Sequence, residues 1–106
     1  MLIGYARVST ADQDLTLQLD ALAKAGCEKV FTEKASGAKD DRPELARIFT
    51  DVLRAGDTLV VWKLDRLGRS LPHLLSILTD LRERDVSFRS LTEQMDTGTP
   101  HGELLF

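Results

Sequence analysis

From Leu2 to Val8 the chain is apolar on both faces except at Arg7, the pattern of a strand covered on both sides of a sheet. Ser9 to Ala25 opens with capping residues, carries Leu15, Leu19, Leu22 and Ala23 at helical spacing, and stops at Gly26 in the C′ position, which predicts a helix. Val30 and Phe31 form a short apolar window within Lys29 to Glu33, a second strand. The polar stretch Lys34 to Asp41, with Ser36-Gly37 inside it, reads as a loop. Pro43 suits a first helical position, and Leu45, Ile48, Phe49, Val52 and Leu53 follow at i, i+3, i+4, i+7 and i+8 before Gly56, the clearest amphipathic helix of the chain. Thr58 to Trp62 is a β-branched and aromatic run of strand length. Leu71, Leu74, Leu75, Leu78 and Leu81 mark a third helix, which tolerates Pro72 because it lies in the first turn. Val86 to Leu91 reads as a fourth strand, and Thr92 to His101 is polar and turn-rich.

Strands and helices therefore alternate, and the economical architecture is an α/β domain: a parallel sheet with helices on both faces and right-handed crossovers. A chain of 106 residues, 42% hydrophobic and 29% charged, suits one such domain. Its lone cysteine, Cys27, excludes an internal disulfide framework and any multi-cysteine zinc site. No basic-then-apolar leader and no apolar run of about 20 residues is present, so a soluble, cytoplasmic protein without a membrane partner is expected. The net charge of −3 argues against whole-surface attraction to nucleic acid, and phosphate binding would need a local cluster. Leu104-Leu105-Phe106 looks like the first turn of an apolar helix where a free end is normally polar, so the chain is expected to be a fragment.

Ligands of an open parallel sheet collect at the carboxyl ends of its strands. Arg7, Ser9, Thr10 and Gln13 follow the first strand; Ser36, Gly37 and later Arg42 follow the second; Lys63, Asp65, Arg66 and Arg69 follow the third. Strand alternation puts Tyr5, Arg7 and Ser9 on one face, and a helical segment would put Arg66 and Arg69 on one face at i,i+3. A hydroxyl ringed by arginines is suited to attack a phosphodiester without a metal. The guanidinium forks bind the phosphate oxygens, stabilise growing equatorial charge and favour the alkoxide. Taken singly, each residue has a plainer reading. Thr10-x-x-Gln13 fits a capping box, with Ser9 or Thr10 as helix cap. Arg66 and Arg69 fit a solvated face, Asp65 an N-cap, Ser36-Gly37 a turn, Arg42 a surface charge, Tyr5 a wall of the core and Cys27 a small packing residue. His73 and His101 have no ligand spacing, and no metal or cofactor is expected.

The two stretches Tyr5-Ala6-Arg7-Val8-Ser9-Thr10, with Gln13 beyond, and Lys63-Leu64-Asp65-Arg66-Leu67-Gly68-Arg69-Ser70 change that balance. Together with Ala35-Ser36-Gly37, Asp41-Arg42-Pro43 and Gly56-Asp57-Thr58-Leu59-Val60-Val61-Trp62-Lys63, they resemble the catalytic domain of small serine recombinases, on the invertase side of the resolvase and invertase group. The resemblance spans essentially the whole chain. It implies a three-layer α/β/α sandwich with a mostly parallel, mixed sheet of four to five strands, including a final antiparallel strand that periodicity does not reveal. It further implies site-specific DNA recombination in which Ser9 forms a 5′-phosphoserine link and releases a 3′ hydroxyl. Arg7, Arg66 and Arg69 match phosphate-binding arginines. Gln13, Ser36 and Arg42 match supporting positions, Asp65 an acidic member of the site that holds an arginine, and Tyr5 a positioning residue; Lys63 is grouped with the supporting residues. The family continues into a dimerising helix and a helix-turn-helix that reads DNA, where this chain ends. The full-length parent is then expected to be a homodimer that assembles to a tetramer, and the fragment monomeric or weakly associating and inactive alone.

Three other readings compete. A cysteine phosphatase fails on spacing, because the sixth place after Cys27 is Glu33 and not arginine. A receiver-like or other phosphate-binding regulatory domain would want carboxylates after the first strand, where Arg7 and Ser9 stand. No G-x-x-x-x-G-K or G-x-G-x-x-G loop is present for a nucleotide. A catalytically incompetent regulatory fragment that pairs with intact recombinase stays open.

Overall fold

Parallel pairing organises the sheet at the centre of the computed structural model, which describes residues 1–9, 15–35, 43–64 and 71–97. The elements are β1 (Leu2–Ser9), α1 (Leu15–Lys24), β2 (Lys29–Ala35), α2 (Pro43–Arg47) with a π-helical continuation (Ile48–Val52), β3 (Thr58–Val61), α3 (Leu71–Glu83), β4 (Ser87–Ser90) and β5 (Met95–Asp96). The strands form one sheet in the order β2-β1-β3-β4-β5. The first four are parallel, while β5 runs antiparallel to β4 through Arg89↔Asp96 and Ser90↔Met95.

Alternation along β1 divides the core in two. Ile3 and Tyr5 face α2 and α3, and pack with Leu45, Ile48, Leu59, Val61, Ile77, Leu81, Val86 and Phe88. Ala6 faces the other way and packs with Leu22 and Val60 under α1. The sheet is thus the middle of three layers. Helix α1 lies close to it over Gly4, where an added Cβ would meet Val30 Cγ2 at 3.1 Å, Cys27 Sγ at 3.2 Å and Leu22 Cδ1 at 3.3 Å. The helix then ends in a Schellman turn: Gly26 has φ 94°, its N–H reaches the Ala23 carbonyl at 3.1 Å, and the Cys27 N–H reaches that of Leu22 at 3.2 Å.

Several boundaries differ from the periodicity reading, among them the end of β3 at Val61 and both ends of β4, Ser87–Ser90. Ser9 closes β1 rather than opening the helix, and the described part of α1 begins at Leu15. Lys34 and Ala35 belong to β2, not to the following loop, because Val8↔Lys34 and Ser9↔Ala35 continue the parallel ladder whatever the polarity of the side chains. The second helix widens at Ile48, with an i→i+5 bond from Leu53 N–H to Ile48 O at 2.9 Å, and Leu53 itself is extended at ψ 134°. This widening keeps Phe49, Val52 and Leu53 all against the core. Among the described residues, no helix is long and apolar enough to cross a membrane.

Candidate functional site

The sheet order reverses direction at β1: the chain passes outward to β2 and then returns to β3 on the other side. The helices that follow β1 and β3, α1 and α3, lie on opposite faces. The carboxyl ends of these two strands are therefore the topological switch point, the place where open α/β sheets bind ligands. The β1–β3 register ends at Tyr5↔Val61, so Arg7 and Lys63 each stand two residues beyond the last paired position. Ser9 ends β1 two residues further on, opposite Ala35.

Arg7 is held there by its backbone. Past the end of the β1–β3 ladder its N–H and C=O have no β3 residue to pair with, and the Gln18 carboxamide of α1 takes both. Arg7 N–H donates to Gln18 Oε1 and Gln18 Nε2 donates to Arg7 O, each at 3.1 Å. Gln18 is completely buried. The Arg7 side chain is half-buried, and its Nε is buried with no hydrogen-bond partner. A buried donor left unmade costs about 1–3 kcal/mol, so such a group calls for an anion or an ordered water to complete it.

Beneath this, Glu33 of β2 is 2% exposed. Its carboxylate accepts the Tyr5 hydroxyl at 2.9 Å and the N–H groups of Glu44 and Leu45 at 3.0 and 3.3 Å. One buried charge thus ties the middle of β1 to the start of α2, satisfying N–H groups that the helix leaves free. Tyr5 is fully buried, and its hydroxyl bonds to Glu33.

On the β3 side, the Lys63 ammonium lies 4.6 Å from the centre of the Trp62 ring. The Trp62 carbonyl accepts the Thr92 N–H at 2.9 Å, and Leu64 N–H donates to the Glu93 carboxylate at 3.3 Å. Away from the switch point, burial pushes the Cys27 thiol up, with the nearby Arg89 charge opposing it, so this cysteine is a poor nucleophile. Among the described residues no group of His, Cys, Asp and Glu side chains is set to hold a metal ion.

The structure thus brings Arg7, Ser9 and Lys63 to one sheet edge, with Tyr5 in the core below. Gln13, Ser36, Arg42, Asp65, Arg66 and Arg69 lie outside the described residues, as does the Thr10-x-x-Gln13 capping pattern. The sequence reading gives no site role to Gln18, Glu33 or Glu93. A signal for Gln18 existed: it is a polar residue inside the Leu15, Leu19, Leu22 stripe, the position of a side chain that must find a buried partner.

The description of the resolvase N-terminal domain matches residues 2–106. The chain belongs to that family. This resolvase-family domain is 58% identical over 106 residues to the serine recombinase gin of Escherichia phage Mu, covering 100% of this chain and 54% of that protein. It is 56% identical to the DNA-invertase of Escherichia phage P1, again over its full length and 56% of that protein. Among solved structures, the N-terminal catalytic domain of TP901-1 integrase superimposes with a TM-score of 0.84 at 34% identity, covering 98% of this chain and 86% of that one. The domain spans about half the length of the curated relatives it matches.

Proposed function

We propose that the chain is the catalytic domain of a site-specific DNA recombinase of the inverting or resolving kind, and that the switch point at the ends of β1 and β3 takes the scissile phosphodiester. Ser9 is the nucleophile. Its hydroxyl oxygen attacks phosphorus, the 3′ oxygen of the neighbouring nucleotide leaves and is protonated, and the 5′ phosphate stays on the serine. Attack by a 3′ hydroxyl after strand exchange reverses the step. One ester is exchanged for another, so bond energy is conserved and no nucleotide cofactor is consumed.

The observation that carries this reading is the buried, unpartnered Nε of Arg7 at the switch-point edge, two residues before Ser9. A phosphate oxygen is the acceptor that this donor lacks, and the family assignment supplies the class of substrate. Arg66 and Arg69 follow β3 in sequence and are assigned to the same phosphate, where they stabilise its equatorial charge. Asp65 holds an arginine in place; Gln13, Ser36, Arg42 and Lys63 support the phosphate and the nucleophile. Tyr5 acts one layer down, through Glu33. The DNA partner, the dimer that becomes a tetramer, and the reading of a crossover site belong to a longer protein carrying this domain. The chain alone is expected to be monomeric or weakly associating.

The test joins residues 1–106 to the C-terminal half of the phage Mu relative and traps cleaved substrate in denaturant. A covalent protein–DNA adduct is expected, absent in Ser9→Ala and retained in Ser70→Ala. An adduct that survives Ser9→Ala refutes the assignment.

A further inference from the structure

The turn between β4 and β5 grips the chain where it leaves β3. Leu91 and Thr92 N–H groups donate to the Val61 and Trp62 carbonyls at 3.0 and 2.9 Å, and Thr92 Oγ1 adds a bond to the Trp62 carbonyl at 2.7 Å. Glu93 completes the grip. Its Oε1 accepts the Leu64 N–H at 3.3 Å and receives the hydroxyls of Thr92, at 3.1 Å, and of Ser90. The single proton of the Thr92 hydroxyl serves Trp62 O or Glu93 at any moment, so Ser90 and the Leu64 N–H are the steadier donors. Gln94, the next residue, has φ 55°, which turns the chain sharply into β5. Burial would raise the Glu93 carboxyl, yet the bonds from Ser90, Thr92, its own N–H and Leu64 outweigh it and hold the group below the usual glutamate range. The turn is built for the carboxylate anion.

We propose, on the basis of the phosphodiester reading above, that Glu93 is a positioning residue for that chemistry: its carboxylate fixes the backbone at Leu64 and so sets where the cationic run that starts at Lys63 leaves the sheet edge beside Arg7. The placement matters because Lys63, like Arg7, comes two residues after the last β1–β3 pair, and the sequence continues from Leu64 into Asp65-Arg66-Leu67-Gly68-Arg69. Its described start, Lys63 and Leu64, is set by β3 and by this turn. A misplacement of about 1 Å at a reacting phosphate costs on the order of 10²-fold in rate, so a bond outside the site has leverage within it.

The test titrates the isotope-labelled 106-residue chain with inorganic phosphate and reads the arginine Nε–H and Leu64 amide resonances. Phosphate is expected to shift the Arg7 Nε–H. Glu93→Ala should move the Leu64 amide and weaken phosphate binding at least about fivefold, the worth of one ordinary hydrogen bond. Glu93→Asp, which keeps the anion, should return to within about twofold of the parent, while Glu93→Gln, which keeps only the shape, should not. Phosphate affinity unchanged in Glu93→Ala, or Glu93→Asp as weak as Glu93→Ala, overturns the positioning role and leaves the site reading intact. A parent chain whose Arg7 Nε–H ignores phosphate overturns the site reading, and the role of Glu93 with it.

Discussion

A buried donor without a partner is a cost to folding and an opening for a ligand, and the Nε of Arg7 shows both. Replacing Arg7 with lysine removes the orphaned Nε and the planar fork together. Arg7→Lys is expected to leave the thermal midpoint unchanged or slightly raised, while adduct formation in the chimera falls about 10²-fold or more. A simultaneous loss of stability would show that Nε is satisfied within the fold. Tyr5 and Gln18 lie on the opposite side of the ledger. Tyr5→Phe takes one donor from the buried Glu33 carboxylate and should cost about 1–2 kcal/mol in denaturant melts, with the remaining bonds from Glu44 and Leu45 limiting the damage. Gln18→Leu fills the same space but strands both backbone groups of Arg7, and should cost about 2 kcal/mol or more. The place of Arg7 and Ser9 at the end of β1 was legible from the apolar run before them. Glu33 was not, since a glutamate in a strand is ordinarily solvent-facing, and only the packing of β2 beside Tyr5 and under α2 gives it three donors.

Helix ends and periods follow local rules more closely than side-chain roles do. Both α1 and α3 finish in the same six-residue turn. Gly26 fills the left-handed position after α1, and Asp85, at φ 59°, fills it after α3, with the Val86 N–H on the Leu81 carbonyl at 2.9 Å. An L-residue pays for that conformation with roughly 1 kcal/mol, so Asp85→Gly should raise the melting temperature by a few degrees, as differential scanning calorimetry would register. Gly26→Ala should lower it. The periodic leucines of α3 and the Gly26 stop of α1 could be read directly. The π-helical continuation after Arg47 could not, because apolar residues at i, i+3, i+4, i+7 and i+8 satisfy a regular helix as well as a widened one, and the choice follows from how Phe49 and Leu53 meet the core. The two-residue strand β5 has too little sequence to show a period at all.

For the molecule as a whole, the acid limb of stability is one place where the β4–β5 turn becomes measurable. Glu93 titrates below its ordinary value in the folded chain, so the stability it contributes is complete above the unfolded glutamate pKa and disappears as the pH falls through its lowered folded value. Glu93→Gln should flatten that part of a melting-temperature profile taken from neutral into acid, with a small amplitude because the side chain is exposed. A profile identical to the parent's would show that the carboxylate is no better bonded folded than unfolded. The alternation of apolar strands and amphipathic helices, and the cations and hydroxyls that follow each strand, are properties of the amino-acid order itself, because local period and side-chain chemistry need no distant partner. The order β2-β1-β3-β4-β5, the antiparallel β5 and the pairing of Gln18 with Arg7, Tyr5 with Glu33 and Glu93 with Leu64 were decided only when the layers closed. Each joins groups far apart in sequence or follows from which strand edge is left open, and that is a property of the packed sheet.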